Sequence, residues 1–207
     1  MVDGHILLDA GAPLLPHMHR LGLDPAAIDV AFISHFHGDH VLGLPTYVLH
    51  RAFVSQTPLT IVGPQGVGDR MEELFYIAWG TEWKEIRERL QVVYQDAGRG
   101  GSAAGVEYET VQLDHGTSGC TGYRLRLDGR VLAYSGDTVA SPPLEDLIRG
   151  SDVAIVEATA PGDPYSHLSW AQAAQMRARH PGTRFVFNHV FEGDLEGAAE
   201  DLTVIEV

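Results

Sequence analysis

The chain has one cysteine, one lysine and no long apolar run, and each scarcity removes a class of protein. With Cys120 alone, an intrachain disulfide is impossible, so a reducing cytoplasm is the simplest compartment. No stretch approaches the roughly eighteen apolar residues that span a bilayer, so no membrane partner is expected. The opening Met-Val-Asp-Gly-His-Ile has no basic region followed by an apolar segment, and no signal peptide is expected. Lys84 is the only lysine; Lys and Arg together number 14 against 28 acidic residues, for a net charge of −14. Broad nucleic-acid binding needs a positive footprint that displaces counterions from phosphates. The charge balance therefore disfavours a long RNA or DNA as partner.

What is present is an ordinary globular composition. Of 207 residues, 44% are apolar and 20% charged, which fits one sizeable domain over residues 1–207. Short apolar runs alternate with helical stretches, the rhythm of an α/β fold. Strands are expected near 4–9, 30–34, 59–62, 90–94, 106–114, 121–127, 130–135, 152–157 and 184–188. Helices are expected over 13–22, 41–54, 66–78, 82–89, 143–149 and 169–180. Asp128-Gly129 between two apolar runs signals a hairpin. Ser169 with Gln172 three residues later signals a capping box. The glycine-rich stretch 97–105 reads as a flexible loop.

The informative pattern is a set of metal-type side chains. His35-Phe-His37-Gly-Asp39-His40 packs four of them into six residues, and His115, Asp137 and His189 follow at expected strand ends. In a strand entering a turn, residues 35 and 37 face the same side, so both imidazoles can grip one ion. Gly38 lets the chain bend and turn Asp39 and His40 toward a second ion. His115 would complete the first site and His189 the second, and Asp137 can bridge them. Mixed imidazole and carboxylate ligands suit two divalent ions, zinc best, with manganese and iron as alternatives. A hydroxide bridging such a pair is a nucleophile at neutral pH, so the chain reads as a metal-dependent hydrolase.

These motifs, with Val-Leu-Gly-Leu-Pro after His40 and Ser-Gly-Asp-Thr around Asp137, resemble the metallo-β-lactamase superfamily. The resemblance implies a four-layer αββα sandwich with a dinuclear site at the strand ends. Asp137 stands where true metallo-β-lactamases carry cysteine, which disfavours antibiotic hydrolysis. His37 stands where the flavodiiron relatives carry glutamate, which disfavours oxygen reduction. The resemblance also implies two strands ahead of the one at 4–9, for which this sequence has no room. That leaves a strand edge to cover, and a homo-oligomer is expected.

Glu157-Ala-Thr, followed ten residues on from the glutamate by His167-Leu-Ser, is similar to elements of the tRNA 3′-processing endonuclease RNase Z and its relatives. The resemblance implies that His167 assists phosphodiester chemistry and that Glu157 orients it. An imidazole held by a carboxylate can protonate a leaving alkoxide near neutral pH. The substrate apparatus departs from that branch: no lysine- and glycine-rich arm is present, and Val190-Phe-Glu-Gly-Asp194 is acidic where a phosphate-binding rim is expected. A small phosphodiester or related small-molecule ester is therefore the expected substrate, with Asp39 also orienting the nucleophile. The alternatives are RNase Z-like tRNA processing, hydrolysis of a lactone, thioester or sulfate ester, and metal binding without turnover.

Other residues receive structural readings. Asp9 is expected to support the site rather than bind metal. His17 and His19 are expected on a solvated helix face, and His5, His50 and His180 show no partner pattern. Met71, Leu74, Phe75 and Ala78 recur at core spacing. Trp79 and Trp83 are candidates for a cleft wall, and Tyr165 for a pocket lining.

Overall fold

The computed structural model describes residues 1–162, 165–191, 193, 195–203 and 205. The backbone forms two compact units, Met1–Gly98 and Arg99–Val207.

The first unit is a parallel four-stranded sheet: β1 (Ile6–Leu8), β2 (Val30–Phe32), β3 (Leu59–Gly63) and β4 (Val92–Asp96), in that order. Parallel neighbours need crossover connections, and helices supply them. α1 (Leu14–Arg20) follows β1; α2 (Gly38–Val41) and α3 (Leu44–Val54) follow β2; α4 (Val67–Trp79) and α5 (Trp83–Arg89) follow β3. Val30, Ala31 and Phe32 are all fully buried, as parallel strands covered by helices require. The helix expected over 41–54 starts earlier, as α2, and breaks at Gly43. Only glycine fits at this junction: a Cβ on Gly43 would lie 2.6 and 2.7 Å from the carbonyl oxygens of Gly11 and Ala10. The Gly43 N–H instead donates to Ala10 O at 2.8 Å, and Ala10 N donates to His40 O at 2.7 Å. Two hydrogen bonds thus fasten the segment after β1 to the segment that carries Asp39 and His40.

Arg51 of α3 is fully buried and anchors this unit. Its guanidinium donates to the carbonyls of Pro25, Ile28, Thr57 and Pro58 and to the hydroxyls of Thr57 and Tyr47. Burial pushes the Tyr47 phenol above its usual pKa, against the opposing pull of Arg51. Each buried carbonyl left without a donor costs about 1–3 kcal/mol. Arg51→Met is therefore expected to lower stability by more than about 3 kcal/mol. Urea unfolding measures it, and a loss below about 1 kcal/mol would contradict the anchoring role.

The second unit is a six-stranded sheet in the order β10-β9-β8-β7-β6-β5. Its strands are β5 (Gly100–Ala103), β6 (Val106–Leu113), β7 (Cys120–Leu127), β8 (Arg130–Tyr134), β9 (Val153–Glu157) and β10 (Arg184–Asn188). β5 to β8 pair antiparallel, whereas β8, β9 and β10 are parallel. α6 (Pro142–Ile148) and α7 (Trp170–Arg179) contribute Leu144, Leu147, Ala173 and Met176 to a core with Val156 and Phe187. Asp128-Gly129 makes the expected two-residue hairpin turn, and Ser169 with Gln172 forms the expected capping box.

β5 corrects the reading of 97–105 as a flexible loop. Gly100 to Ala103 pair with Glu109 to Val106 across a tight turn at Ala104-Gly105, both at positive φ. A Cβ on Gly100 would lie 2.6 Å from Tyr108 O, so glycine here serves a close strand approach rather than mobility. His180 also finds a structural partner, since its Nε2 lies 2.6 Å from Glu145 Oε2, and Arg179 pairs with the same carboxylate. Burial raises the Glu145 pKa, but hydrogen bonds from Arg179 and His180 outweigh it and hold it below the usual range. Among the described residues no helix is long and apolar enough to cross a membrane.

Candidate metal centre

In the first unit the ligand segment leaves β2 and turns at His37, which precedes α2 in extended backbone. The rings of His35 and His37 meet edge to face with centroids 4.5 Å apart, and His35 and His40 lie 4.1 Å apart. Behind them sits the buried carboxylate of Asp9, just past β1. It accepts from Ser34 N at 2.7 Å, from Ser34 Oγ at 2.7 Å, and from His40 Nδ1 at 2.6 Å. Ser34 Oγ lies 3.0 Å from His35 Nδ1. A carboxylate can only accept, and the serine hydroxyl spends its single hydrogen on it. His35 Nδ1 must then be the donor to Ser34 Oγ. Both rings carry hydrogen on Nδ1 and present the lone pair at Nε2, the form a metal ligand needs. Close packing holds the turn, because a Cβ on Gly11 would fall 2.1 Å from Asp39 O.

The second unit repeats this logic with other residues. His115 Nδ1 donates to Ser166 O at 2.9 Å. Glu157, fully buried at the end of β9, accepts from His167 Nδ1 at 2.9 Å, Thr138 N at 2.6 Å, Leu168 N at 3.1 Å and Thr159 Oγ1 at 2.6 Å. Thr159 Oγ1, having donated its hydrogen, accepts from His189 Nδ1 at 3.0 Å. Asp137 lies beyond β8, after the tight turn at Gly136 (φ +58°). Its Oδ2 stands 3.7 Å from His115 Nε2, 3.5 Å from His189 Nε2 and 3.9 Å from His167 Nδ1. The His167 and His189 rings stack at 5.3 Å.

The separations decide what these groups suit. His40 Nε2 and Asp39 Oδ2 are 3.6 Å apart, like the His115–Asp137 and His189–Asp137 pairs. Such pairs are too long for hydrogen bonds. They match the edge of about 3.3 Å between two ligands held about 2.0–2.1 Å from one tetrahedral zinc. Divalent ions also require neutral imidazole and ionised carboxylate, and the Nδ1 hydrogen bonds prepare the imidazoles. The donor chemistry of both units fits divalent metal.

The structure thus groups His35, His37, Asp39 and His40 in one unit and His115, Asp137, Glu157, His167 and His189 in the other. Asp9 takes the supporting place expected of it. Ser34, Thr138, Thr159 and Ser166 were given no role by the sequence, although Thr138 and Thr159 close the Ser-Gly-Asp-Thr and Glu157-Ala-Thr motifs and Ser34 and Ser166 each precede a site histidine. Other candidates fall away from the site. Trp83 is buried and donates to Glu72 Oε2 at 2.8 Å, and Trp79 donates to Pro45 O at 3.2 Å, so both are structural rather than cleft walls. Met71 and Phe75 are core, but Ala78 is exposed. Tyr165 is 91% exposed. His17 and His19 are exposed as expected, and His50 meets the His19 ring at 5.8 Å. Glu192 and Asp194 of the acidic segment lie outside the described residues.

Comparison with known proteins gives concordant likenesses. A family model described as "Beta-lactamase superfamily domain" matches residues 5–190. A protein of Bacillus licheniformis named Ribonuclease Z is 28% identical over 236 residues, covering 89% of this chain and 77% of its own length. The crystal structure of human tRNase Z, short form, has a TM-score of 0.79 at 21% identity, covering all of this chain and 90% of that one. The metallo-β-lactamase fold protein YhfI of Bacillus subtilis has a TM-score of 0.75 at 16% identity, covering 95% and 79%. A diphosphatase from the PhnP family has a TM-score of 0.69 at 19% identity, covering 92% and 71%.

Proposed function

The chain belongs to the beta-lactamase superfamily domain family, and on that premise we propose that it hydrolyses a small phosphodiester. It has the metallo-β-lactamase fold and is a metal-dependent hydrolase. In this reading the whole of residues 1–207 acts as one domain. His35, His37 and His115 would hold one divalent ion, Asp39, His40 and His189 would hold a second, and Asp137 would serve both. Zinc suits this donor set best, with manganese or iron as alternatives. Bound ions would acidify the attacking water and offset the charge that builds on the phosphoryl oxygens.

The remaining chemistry belongs to side chains. The second carboxylate oxygen of Asp39 accepts a hydrogen bond from the attacking water and aims it at phosphorus. As the phosphorus–oxygen bond to the leaving group breaks, the departing alkoxide needs a proton. His167 supplies it from Nε2 as the imidazolium, whose Nδ1–H stays on the Glu157 carboxylate; the neutral Nδ1–H ring that remains regains its Nε2 proton from solvent. The observation that carries this reading is His167 itself, clamped by a buried carboxylate and 3.9 Å from Asp137. Lactone or thioester hydrolysis would use the same metal ligands but does not call for that clamp.

A second reading, cleavage of tRNA precursors, is favoured by the names of the relatives. The net charge of −14 weighs against a long polyanion. The zinc- or manganese-reconstituted protein should be assayed on bis(p-nitrophenyl) phosphate and on a 3′-extended tRNA precursor. Turnover of the small diester, lost in Asp39→Ala, with weak RNA cleavage is the expected result. Efficient precursor cleavage that falls steeply with salt, without turnover of the small diester, would overturn it in favour of the second reading.

A further inference from the structure

Two buried carboxylates serve two histidines each, and they do so in the same way. Asp9 takes His40 directly and His35 through the Ser34 hydroxyl. Glu157 takes His167 directly and His189 through the Thr159 hydroxyl. In each pair the hydroxyl hydrogen points at the carboxylate, so the oxygen can meet the second histidine only as an acceptor. We propose that Ser34 and Thr159 are positioning residues that relay a buried carboxylate to His35 and His189 and fix each as its Nδ1–H tautomer. The proposal rests on the reading that these histidines bind metal through Nε2.

The physical basis is the inequivalence of the two ring nitrogens. A solvated neutral histidine favours hydrogen on Nε2, the nitrogen that must be bare to bind an ion; the bond at the other nitrogen decides which form prevails. Ser34 and Thr159 are buried, so no bulk water stands in for their hydroxyls. Without the relay His35 or His189 gains rotational and tautomeric freedom that metal binding must remove. Partners of this kind are worth about 10–100-fold in metal affinity. Each relay also has a built-in control, because His40 and His167 contact their carboxylates directly. Loss of a hydroxyl should disturb one histidine of each pair and spare the other.

The test is made first on the metal-free protein. Long-range proton–nitrogen NMR at about pH 8, where an ordinary imidazole is neutral, reads the tautomer of each ring. In Thr159→Val, which keeps the side-chain volume, His189 is expected to shift toward the Nε2–H form while His167 stays Nδ1–H. Zinc affinity, measured by competition with a chromophoric chelator, should fall about 10–100-fold, and Thr159→Ser should restore both readouts. Ser34→Ala and Ser34→Thr repeat the comparison for His35 against His40, so misfolding of one variant leaves the other pair to decide. His189 remaining Nδ1–H in Thr159→Val, or both rings of a pair shifting together, would overturn the relay. So would a serine variant no better than valine. Failure of the wild-type protein to bind zinc would instead sink the ligand reading, and the tautomers alone would then judge the relay.

Discussion

Asp137→Ala is expected to abolish phosphodiester hydrolysis and to reduce the metal the chain retains. The carboxylate lies 2% exposed in the turn after β8, with Oδ2 between the Nε2 atoms of His115 and His189 at 3.7 and 3.5 Å. A single oxygen so placed could serve ions held by both histidines, if each binds one as proposed. On the proposed ligand set, its loss would remove the one carboxylate that both imidazoles share. Metal-centred charge stabilisation is worth several kcal/mol, and about 4 kcal/mol corresponds to roughly 10³-fold in rate. Turnover of bis(p-nitrophenyl) phosphate should fall by at least that factor. Retention of a tenth of the wild-type rate would show that Asp137 is not a bridging ligand.

His167→Ala is expected to separate chemistry from metal binding. His167 is not among the proposed ligands, so metal content should remain at the wild-type value. The proton we propose it supplies to the leaving group would be worth about 10²–10⁴-fold, and the loss should fall on kcat rather than KM. The defect should shrink for diesters whose leaving groups are acidic enough to depart unprotonated. This makes a series of aryl and alkyl diesters the informative comparison. An equal loss across the series would assign His167 to positioning rather than to proton transfer. Metal lost along with activity would make it part of the ligand set.

Much of this was legible in the sequence because strand and ligand signals coincide. The ligand motif stands at the end of an apolar run, and His115, Asp137 and His189 lie just past β6, β8 and β10. The expected strands all form, since buried β-branched runs such as Val153–Glu157 have few alternatives. What was hidden depends on register and close approach. The β9–β10 pairing sets Asn188 opposite Glu157, which brings His189 to Thr159, thirty positions away in the chain. Ser34 reaches Asp9 across the β1–β2 pair by the same means. Gly43 is required only because the chain after β1 passes within contact distance, and β5 forms in a glycine-rich stretch that composition alone assigns to loop. Trp83 shows the converse error: an aromatic near a helix end looked available for a cleft, yet Glu72 and Phe75 on the preceding helix take it inward.

The central claim is a dinuclear centre, and metal content tests it most directly. The protein should be purified without chelator, loaded with zinc, desalted and measured for metal per chain by inductively coupled plasma mass spectrometry. Two zinc ions per wild-type chain, with fewer in Asp137→Ala, is the expected result. A wild-type chain that retains one ion or none would contradict the dinuclear centre, whatever activity accompanies it.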